Sequence, residues 1–475
     1  MIIKFSNLGT IKETELDLRP LTVIIGPNNS NKTYIAYSIH GLLNHLRDPR
    51  AALLPRDADG SKNEFTLNLD DSFFNQIDQL LKRTIQAFKR GLGEFFQDTS
   101  GRLFANTDFA LTLSSEEIIQ GFKRLIGPKT LKLDKEYELL YSLSANNDSF
   151  HVRVNEQLDK RKWMIPRVID YAVRLFPHDL LSQCFSRPTI FPAERNAFIL
   201  AYKILGYRRF KLLSQMQRVR VRRIPKERDR ELELLREQGD IGFPQPLEDF
   251  LDFLAEIELQ QNAFHQEKII PFQEVADAIE TYIQNKNRTI FKSTRLQGKE
   301  IMVHVKKGLT IDLHNASSSI KQLAPFLLYL RYRAAENDLL IIDEPEMGLH
   351  PESQAKLLEA LAILVNLGVK VLLTTHSPYF IAHLNNLLAG EMEDARILKK
   401  QAAHLYMKDA RAFLREDQVS AYEMQDHKEK GHKLCSLKDD FENFGVRWGS
   451  LSDVSADLQQ KFFEISEEKE TVPHG

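Results

Sequence analysis

The sequence predicts an α/β protein with a mainly parallel sheet, an antiparallel β subdomain and a helical insert. Residues 339–342 and 369–373 are continuous apolar runs, which are typical of strands buried on both faces of a parallel sheet. Between them, residues 351–367 are predicted to form a helix that has Pro351 at its start and Gly368 just beyond its end. Two strands separated by a helix indicate a parallel pair.

Composition excludes several classes of protein. The chain has 475 residues, of which 43% are hydrophobic and 27% charged, as in a folded soluble protein. The 66 acids and 64 bases nearly cancel, so total charge does not indicate a nucleic acid, membrane or acidic substrate. Two cysteines, Cys184 and Cys435, are too few for a disulfide framework or a Cys-based zinc site. No apolar run approaches the roughly 20 residues of a bilayer span, and no signal peptide is recognisable, so we expect a cytoplasmic protein without a membrane partner.

The N-terminal region predicts a strand, a glycine-started loop and a helix in direct succession. Strands are predicted at residues 1–5 and 11–18, and a third, apolar strand covers residues 21–25 and ends at Gly26. Helical periodicity follows from Thr33 to about Leu46.

Further elements follow from periodicity and turn residues. In chain order they are a helix over 80–96, a hairpin of 137–144 and 150–154, a strand at 189–191, a largely helical stretch to about 287 with Pro246 in a first helical turn, a hairpin of 301–305 and 309–313, a helix over 320–333, strands at 405–407 and 419–424, and a helix from about 455 to 464. We expect four segments, namely 1–200 as the first part of the core with an inserted α+β region, 201–300 as a mainly helical insert, 301–420 as the second part of the core, and 421–475 as a closing segment.

The loop after residues 21–25 carries the first chemical motif. Residues 26–33, GPNNSNKT, have the spacing of a phosphate-binding loop, with Asn31 in place of the second glycine. In such a loop, N–H groups at a helix start surround phosphates, Lys32 neutralises them and the Thr33 hydroxyl reaches Mg²⁺. The alternative is a turn followed by a chance Lys-Thr pair. Asn31 suits the loop because, of all residue types, Asn is second to Gly in how readily it adopts the left-handed conformation.

Two carboxylates at the end of an apolar strand favour phosphate hydrolysis. Asp343 suits holding Mg²⁺ through water, and Glu344 suits polarising the attacking water. The alternative is that both acids simply cap a buried strand. His376 ends the neighbouring strand, where open α/β sheets bind ligands, although a histidine there is also common for structural reasons.

Three serines precede the predicted helix 320–333. The hydroxyls of Ser317, Ser318 and Ser319, with the free N–H groups of a helix start, indicate a second anion-binding surface. Helix capping, for which serine is a preferred residue, is the alternative explanation.

In this order, the motifs resemble those of the ABC-class ATPases, a group that includes RecF, the structural-maintenance-of-chromosomes (SMC) proteins and the overcoming-lysogenisation-defect (OLD) proteins. The resemblance covers residues 1–45, 187–200 and 310–420, and it implies an ABC-type P-loop NTPase core that uses ATP and Mg²⁺. It implies the following roles: nucleotide binding by Gly26, Asn28, Asn29, Ser30, Asn31, Lys32 and Thr33 of the Walker A loop, Mg²⁺ binding by Thr33 and Asp343, catalysis by Lys32, Glu344 and the switch histidine His376, and a D-loop at 348–351.

The resemblance also implies a head-to-tail homodimer or higher oligomer. Ser317, Ser318 and Ser319 resemble the signature motif, which in the family reaches the nucleotide held by the other subunit. Serines in place of the usual glycines, together with Asn31, predict slow turnover. Residues 192–195 follow a strand where the family places its glutamine loop, but no glutamine is present, so Glu194 and Arg195 are either site residues or a surface ion pair.

The resemblance is to stand-alone "AAA family ATPases" of anti-phage defence. OLD proteins continue into a Toprim nuclease, for which the roughly 100 residues after His376 are too few. We therefore expect an ATPase that senses or regulates a separate effector, such as a nuclease.

A DNA-maintenance ATPase like RecF or SMC is the alternative. Residues 203–230 contain 11 Lys and Arg against Glu227 and Asp229, a net charge of +9 that predicts contacts to DNA phosphates. Residues 231–260 contain nine acidic residues and a single basic residue, Arg236, which gives a net charge of −8. Pairing of the two segments into a self-compensating insert is therefore equally compatible with the sequence.

Overall fold

The computed structural model describes most of the chain in separate ranges. The described residues are 1–47, 64–113, 115–126, 131–134, 137–144, 146, 149–154, 180–202, 243–260, 270–293, 299–390, 394–427, 431–437, 446 and 459–461. The chain divides into two compact units, the first comprising residues 1–9, 13–17 and 38–188 and the second residues 10–12, 18–37 and 189–475. The four consecutive segments expected from the sequence are a different division, which stays a prediction.

The described residues form strands and helices as follows. The strands are β1 (Ile2–Leu8), β2 (Ile11–Asp17), β3 (Leu21–Ile25), β4 (Glu64–Asn68), β5 (Asp108–Leu111), β6 (Leu131–Asp134), β7 (Tyr137–Leu143), β8 (Ser149–Val154), β9 (Arg187–Phe191), β10 (Arg288–Ser293), β11 (Lys299–Lys306), β12 (Leu309–Asp312), β13 (Asp338–Asp343), β14 (Lys370–Thr375), β15 (Val419–His427) and β16 (Gly431–Ser436). The α-helices are α1 (Lys32–Arg47), α2 (Asp71–Arg90), α3 (Leu92–Phe95), α4 (Ser115–Ile126), α5 (Gln245–Gln260), α6 (Ile270–Tyr282), α7 (Ser318–Tyr332), α8 (Pro351–Asn366), α9 (Pro378–Leu388) and α10 (Ala395–Ala402).

The second unit is built on a mainly parallel sheet. Its strand order is β16-β15-β3-β14-β13-β9, and the pairs β13–β14, β14–β3 and β3–β15 are parallel. Every residue of β3 and β13 is buried, which fits the mostly apolar composition of both strands. Strands β10, β11 and β12 form a separate antiparallel sheet in this unit. The predicted α/β class is confirmed.

The first unit contains antiparallel pairs. Strand β1 lies between β5 and β2 in hydrogen-bonding order, and β1 and β5 are antiparallel. A four-stranded sheet has the order β4-β8-β7-β6, in which β7 and β8 form the hairpin predicted from the sequence.

The crossover helix α8 begins and ends as its sequence predicts. Pro351 is its first residue, and the His350 side chain caps the N-terminus by accepting a hydrogen bond from the N–H of Glu352. After Asn366 the chain turns through Gly368, whose φ of 86° suits glycine. This helix returns the chain from β13 to β14, so both strands end at the same edge of the sheet.

The predicted strand at residues 405–407 is wrong. These residues form a bend, because the N–H groups of Tyr406 and Met407 donate to the Glu359 carboxylate at 3.0 and 2.7 Å. The carboxylate is fully buried and also contacts His383 Nε2 at 2.8 Å. Backbone donors bound to a buried carboxylate are not available to a strand ladder.

Other boundaries differ by smaller amounts. The predicted helix 80–96 begins at Asp71, because the Asp70 side chain caps it, and Gly91 separates it from the short α3. Strand β1 extends to Leu8 rather than residue 5. Of the predicted helix 455–464, the structure describes residues 459–461, which are helical. In the described part of the chain, no helix is long and apolar enough to cross a membrane.

Candidate functional site

The loop between β3 and α1 requires glycine at its first position. Gly26 has a φ of 148°, and a Cβ there would lie 2.8 Å from Met424 Cβ on the adjacent strand β15. Both its conformation and the close approach of β15 therefore exclude a side chain.

Asn31 takes the conformation that the missing second glycine would take. Its φ is 66°, in the left-handed region, and Asn29 has a φ of 59°. The Asn31 side-chain amide donates to the Thr10 hydroxyl in the turn after β1. The replacement therefore preserves the course of the loop and adds a hydrogen bond.

Lys32 folds back into its own loop. Its Nζ donates to the carbonyl oxygens of Gly26 at 2.9 Å and Pro27 at 2.7 Å, and it lies 3.3 Å from Ser30 Oγ. Burial lowers the Lys32 pKa, while the negative charges of Glu344 and Asp343 oppose that shift. The loop thus holds an ammonium group beside the N-terminus of α1, where the helix dipole adds further positive potential.

Asp343 connects the loop with two strands. Thr33 Oγ1 donates to its Oδ2 at 2.9 Å, and the Thr374 hydroxyl donates to its Oδ1. Burial raises the Asp343 pKa, and the two threonine hydrogen bonds work against that effect. A carboxylate beside a hydroxyl is a donor set suited to Mg²⁺, which prefers oxygen ligands and usually binds few protein groups. Among the described residues, no cluster of three or more His, Cys, Asp or Glu side chains arranged for a metal occurs.

Glu344 follows β13 in a strained backbone conformation. Its φ is 49°, which costs a residue with a Cβ on the order of 1–3 kcal/mol. Its N–H donates to Thr374 O at 3.1 Å, which ties the strained residue to the end of β14. In this conformation the Glu344 carboxylate contacts His376.

His376 links Glu344 with the phosphate-loop motif. Its Nε2 lies 2.7 Å from Glu344 Oε1, and its Nδ1 lies 2.9 Å from the carbonyl oxygen of Gly26. Each ring nitrogen faces an acceptor, which favours the doubly protonated ring. Nδ1 also lies 3.4 Å from Lys32 Nζ, and the charge of Lys32 opposes that protonation. The hydrogen bond with Glu344 raises the His376 pKa and lowers the Glu344 pKa.

Glu346 is a site residue that sequence analysis missed. Its Oε1 accepts from the His376 N–H at 2.7 Å and from Thr375 Oγ1 at 2.8 Å, so it fixes the backbone that carries His376. Its Oε2 is buried and has no hydrogen-bond partner among the described residues. A third acid two residues after Glu344 was the available sequence signal.

Arg195 is buried rather than part of a surface ion pair, so that alternative is wrong for it. Only 3% of the residue is exposed, and its guanidinium donates to the carbonyl oxygens of Pro192, Asp343 and Glu344 at 2.8 to 3.0 Å. Burial lowers its pKa to about 10, which leaves it charged at neutral pH. Glu194, the other residue singled out there, is exposed.

Most of the predicted residues line one cleft, and two others adjoin it: the Gly26 carbonyl oxygen contacts Lys32 and His376, and the Asp343 carboxylate contacts Thr33. A cleft of about 560 Å³ is lined by Asn28, Asn29, Ser30, Asn31, Lys32, Thr33, Tyr34, Glu344 and His376. Ser317, Ser318 and Ser319 lie outside this lining, at the start of α7. There Ser317 caps the helix by accepting from the Ile320 N–H, which is the capping role that serine often takes.

Comparison with known proteins identifies one family and several structures of low similarity. The model of a family described as "AAA domain, putative AbiEii toxin, Type IV TA system" matches residues 133–382. No curated protein matches the chain.

Three solved SMC head structures align over most of their length. One is the Smc head domain with an extended coiled coil bound to the C-terminal domain of ScpA from Pyrococcus furiosus, with 13% identity, coverage of 97% of this chain and 98% of that one, and a TM-score of 0.36. Another is an SmcHead bound to the C-winged helix domain of ScpA, with 11% identity, coverage of 92% and 96%, and a TM-score of 0.37. The third is the SMC head domain from Thermotoga maritima, with 8% identity, coverage of 92% and 98%, and a TM-score of 0.33.

We predict that Asn31→Gly is tolerated and Asn31→Ala is not. Alanine in the left-handed conformation costs about 1–2 kcal/mol and loses the bond to Thr10, whereas glycine keeps the backbone. The urea midpoint of unfolding should fall further for N31A than for N31G, and Thr10→Val, which removes only the acceptor, should have the smallest effect. Equal midpoints for N31A and N31G would contradict the backbone explanation.

We also predict that Glu344→Gln lowers the pKa of His376 toward 6.5, its usual value. The contribution of His376 to the free energy of unfolding is complete below pH 6.5 and is lost as the pH rises through its raised pKa. The contribution of Glu344 to the free energy of unfolding is present above pH 4.5 and is lost as the pH falls through its lowered pKa. NMR titration of His376 measures the shift. Glu346→Gln is an equally conservative change at a residue that contacts the His376 N–H and the Thr375 hydroxyl but not the imidazole, so it is the control and should leave the pKa of His376 raised.

Proposed function

This chain belongs to the family of AAA domains described as putative AbiEii toxins of type IV toxin–antitoxin systems, and we propose that it binds and hydrolyses ATP with Mg²⁺. In this proposal, the ATPase dimerises around nucleotide and regulates a separate effector, such as a nuclease, in bacterial anti-phage defence. The family is one of P-loop ATPases. We propose in addition that this chain hydrolyses ATP, acts on a separate effector and takes part in phage defence.

One arrangement carries the proposal. The ends of β3, β13 and β14 bring a buried lysine, a hydroxyl–carboxylate pair and a carboxylate–imidazole pair to the same cleft. Each group matches a need of nucleotide hydrolysis, which depends on neutralising phosphate charge and positioning a water molecule.

The residues divide this chemistry between them. Lys32 and the N–H groups at the start of α1 would bind the phosphates, and Thr33 and Asp343 would hold Mg²⁺. When bound, Mg²⁺ neutralises charge that develops on the phosphate oxygens. Glu344 is deprotonated at neutral pH because its pKa is lowered, so it can accept a proton from the attacking water. His376 holds the Glu344 carboxylate by its Nε2 and is anchored to Gly26 by its Nδ1.

The position of the serines supports a dimer. Ser317 and Ser318 are exposed at the start of α7, outside the cleft of their own chain. Ser318 Cβ lies 3.5 Å from the place where a Cβ on Gly348 would be, so the serine segment and residues 348–351 form one surface. In a head-to-tail dimer, as the resemblance to ABC-class ATPases implies, this surface would reach the nucleotide bound by the other subunit.

A separate effector is supported by family and sequence together. The description of the matching family names a putative toxin of a type IV TA system. The motifs resemble those of stand-alone ATPases that act with a separate nuclease or toxin, and the proposal extends that division of labour to this chain.

We predict that Glu344→Gln traps an ATP-bound dimer. Removing the base leaves nucleotide binding intact but stops hydrolysis, and a ligand bound only by the closed form stabilises that form. Size-exclusion chromatography with ATP and Mg²⁺ should show a larger species for E344Q than for the nucleotide-free protein. The Lys32→Ala/Glu344→Gln double variant, which lacks the phosphate-binding lysine, should remain small. An E344Q protein whose size does not respond to ATP would refute nucleotide-driven closure.

The alternative function, a DNA-binding ATPase of repair or maintenance, rests on residues 203–230 and their net charge of +9. This segment and residues 231–242 lie outside the described residues, so its pairing with the acidic segment 231–260 stays a prediction.

If the DNA alternative holds, replacing Arg218, Arg220, Arg222 and Arg223 by Glu should abolish retention of duplex DNA. Wild-type retention should then fall steeply as salt rises, because each phosphate contact releases counterions. Electrophoretic mobility shift at two salt concentrations measures both effects. Loss of a co-purifying effector in the same variant, with no DNA retention by the wild type, would favour the regulatory ATPase instead.

A further inference from the structure

We infer that Arg195 is a positioning residue that holds Glu344 in place and, through Gln322, links that placement to the serine segment 317–319 at the start of α7. The inference rests on the proposed function in one respect, namely that Glu344 is the base for ATP hydrolysis. The structure assigns Arg195 no contact with the cleft, so it acts through Glu344.

The Arg195 guanidinium joins three parts of the second unit. It donates from Nη1 to the carbonyl oxygens of Pro192, after β9, and Asp343, at the end of β13. From Nη2 it donates to the carbonyl oxygen of Glu344 at 3.0 Å. In the amide orientation that satisfies both groups, Gln322 Oε1 accepts from Arg195 Nη2 at 2.6 Å and from its Nε at 3.2 Å.

The contact with Glu344 bears on its strained backbone. Its N–H is held by Thr374 O and its carbonyl oxygen by Arg195, so the peptide groups on both sides of the φ of 49° are fixed. A strained conformation persists only where its surroundings over-determine it. Without Arg195 the carbonyl oxygens of Asp343 and Glu344, on either side of this φ, both lose a donor. The Glu344 carbonyl oxygen would keep the longer bond from the Met347 N–H at 3.3 Å, and we expect Glu344 to relax away from His376.

Gln322 carries the link to the serines. It is 1% exposed and lies four residues after Ser318 on α7, so both face the same side of the helix. On that side Ser318 approaches Gly348, which follows Glu344 in the chain by four residues. A shift of the helix start therefore reaches Glu344 both through the Gln322–Arg195 bond and through the 344–348 segment.

An arginine at position 195 also suits a residue that positions its neighbours better than one that only fills space in the core. The oxygens that it contacts are main-chain carbonyls and a side-chain amide, all uncharged. The negative charges of Asp343, Glu346 and Glu344 favour the guanidinium, but burial outweighs them, since the pKa of Arg195 is lowered. An apolar side chain would avoid this cost of burying a cation. What the guanidinium supplies is a rigid planar fork of donors, which lysine lacks.

Arg195→Lys and Gln322→Met test the inference. Both keep approximate volume, and R195K keeps the charge, but each removes part of the fork contact. We expect kcat for ATP to fall about 100-fold in R195K, the scale of loss when a reacting group is displaced by about 1 Å, with the Kd for ATP unchanged. In the E344Q background R195K should change the residual rate less than twofold, because the group through which it acts is already gone.

Arg331→Lys is the matched control. Arg331 lies on α7, as Gln322 does, and is largely buried. It donates to Glu280 and to the carbonyl oxygen of Thr289, away from the cleft. R331K should lower stability and leave kcat unchanged. A kcat loss in R195K no greater than in R331K, or one that persists fully in the E344Q background, would overturn the inference.

A second measurement separates this inference from the proposed function. Without nucleotide, R195K and Q322M should lower the pKa of His376 toward the value that it has in E344Q, because Glu344 moves away from the ring. If the wild type does not hydrolyse ATP but this pKa falls, the proposed function fails and the positioning role stands. If ATP is hydrolysed and the pKa of His376 is the same in R195K and wild type, the positioning role fails alone.

Discussion

The parallel register of β3, β14 and β13 is the constraint on which the site depends. Val23 pairs with Leu373, and Ile342 pairs with the same residue from the other side. Buried apolar side chains on both faces hold this register, since slippage by one residue would break the pairing of every strand with its neighbours. Because the three strands run in the same direction, the polar residues that follow them meet at one edge, which is where open α/β sheets place their ligand sites.

The polar groups at this edge oppose the cost of their burial by contacting one another. Asp343 is the clearest case: burial raises its pKa, but the hydroxyls of Thr33 and Thr374 donate to it and favour the charged form. Glu344 is less buried, and the hydrogen bond with His376 outweighs desolvation, so its pKa is lowered. Two adjacent carboxylates therefore have opposite pKa shifts, because one is enclosed by the sheet and the other faces the cleft. Such divergence suits a pair with different tasks.

The sequence was sufficient for features that depend on local pattern. Continuous apolar runs located β3, β13 and β14, and the Gly-Pro-Asn and Lys-Thr residues located the loop. It was not sufficient for contacts between distant segments. The bond from Arg195 to Gln322 joins residues 127 positions apart, and neither residue belongs to a periodic pattern. Leu405 and Met407 alternate as in a strand, but the buried Glu359 carboxylate binds their backbone region. In both cases a tertiary partner decides the outcome.

The closed hydrogen bonding of Lys32 affects how a ligand would be recognised. Its ammonium already contacts the carbonyl oxygens of Gly26 and Pro27, so the loop is ordered before anything binds. A neutral ligand would have to compete with these bonds and would gain no charge interaction in return. A polyphosphate offers a charge-assisted bond, which is stronger than a bond to a carbonyl, and it enters a loop whose ordering entropy has already been lost. The backbone contacts of Lys32 therefore make the loop selective for anionic ligands, because only an anion forms a bond strong enough to replace them.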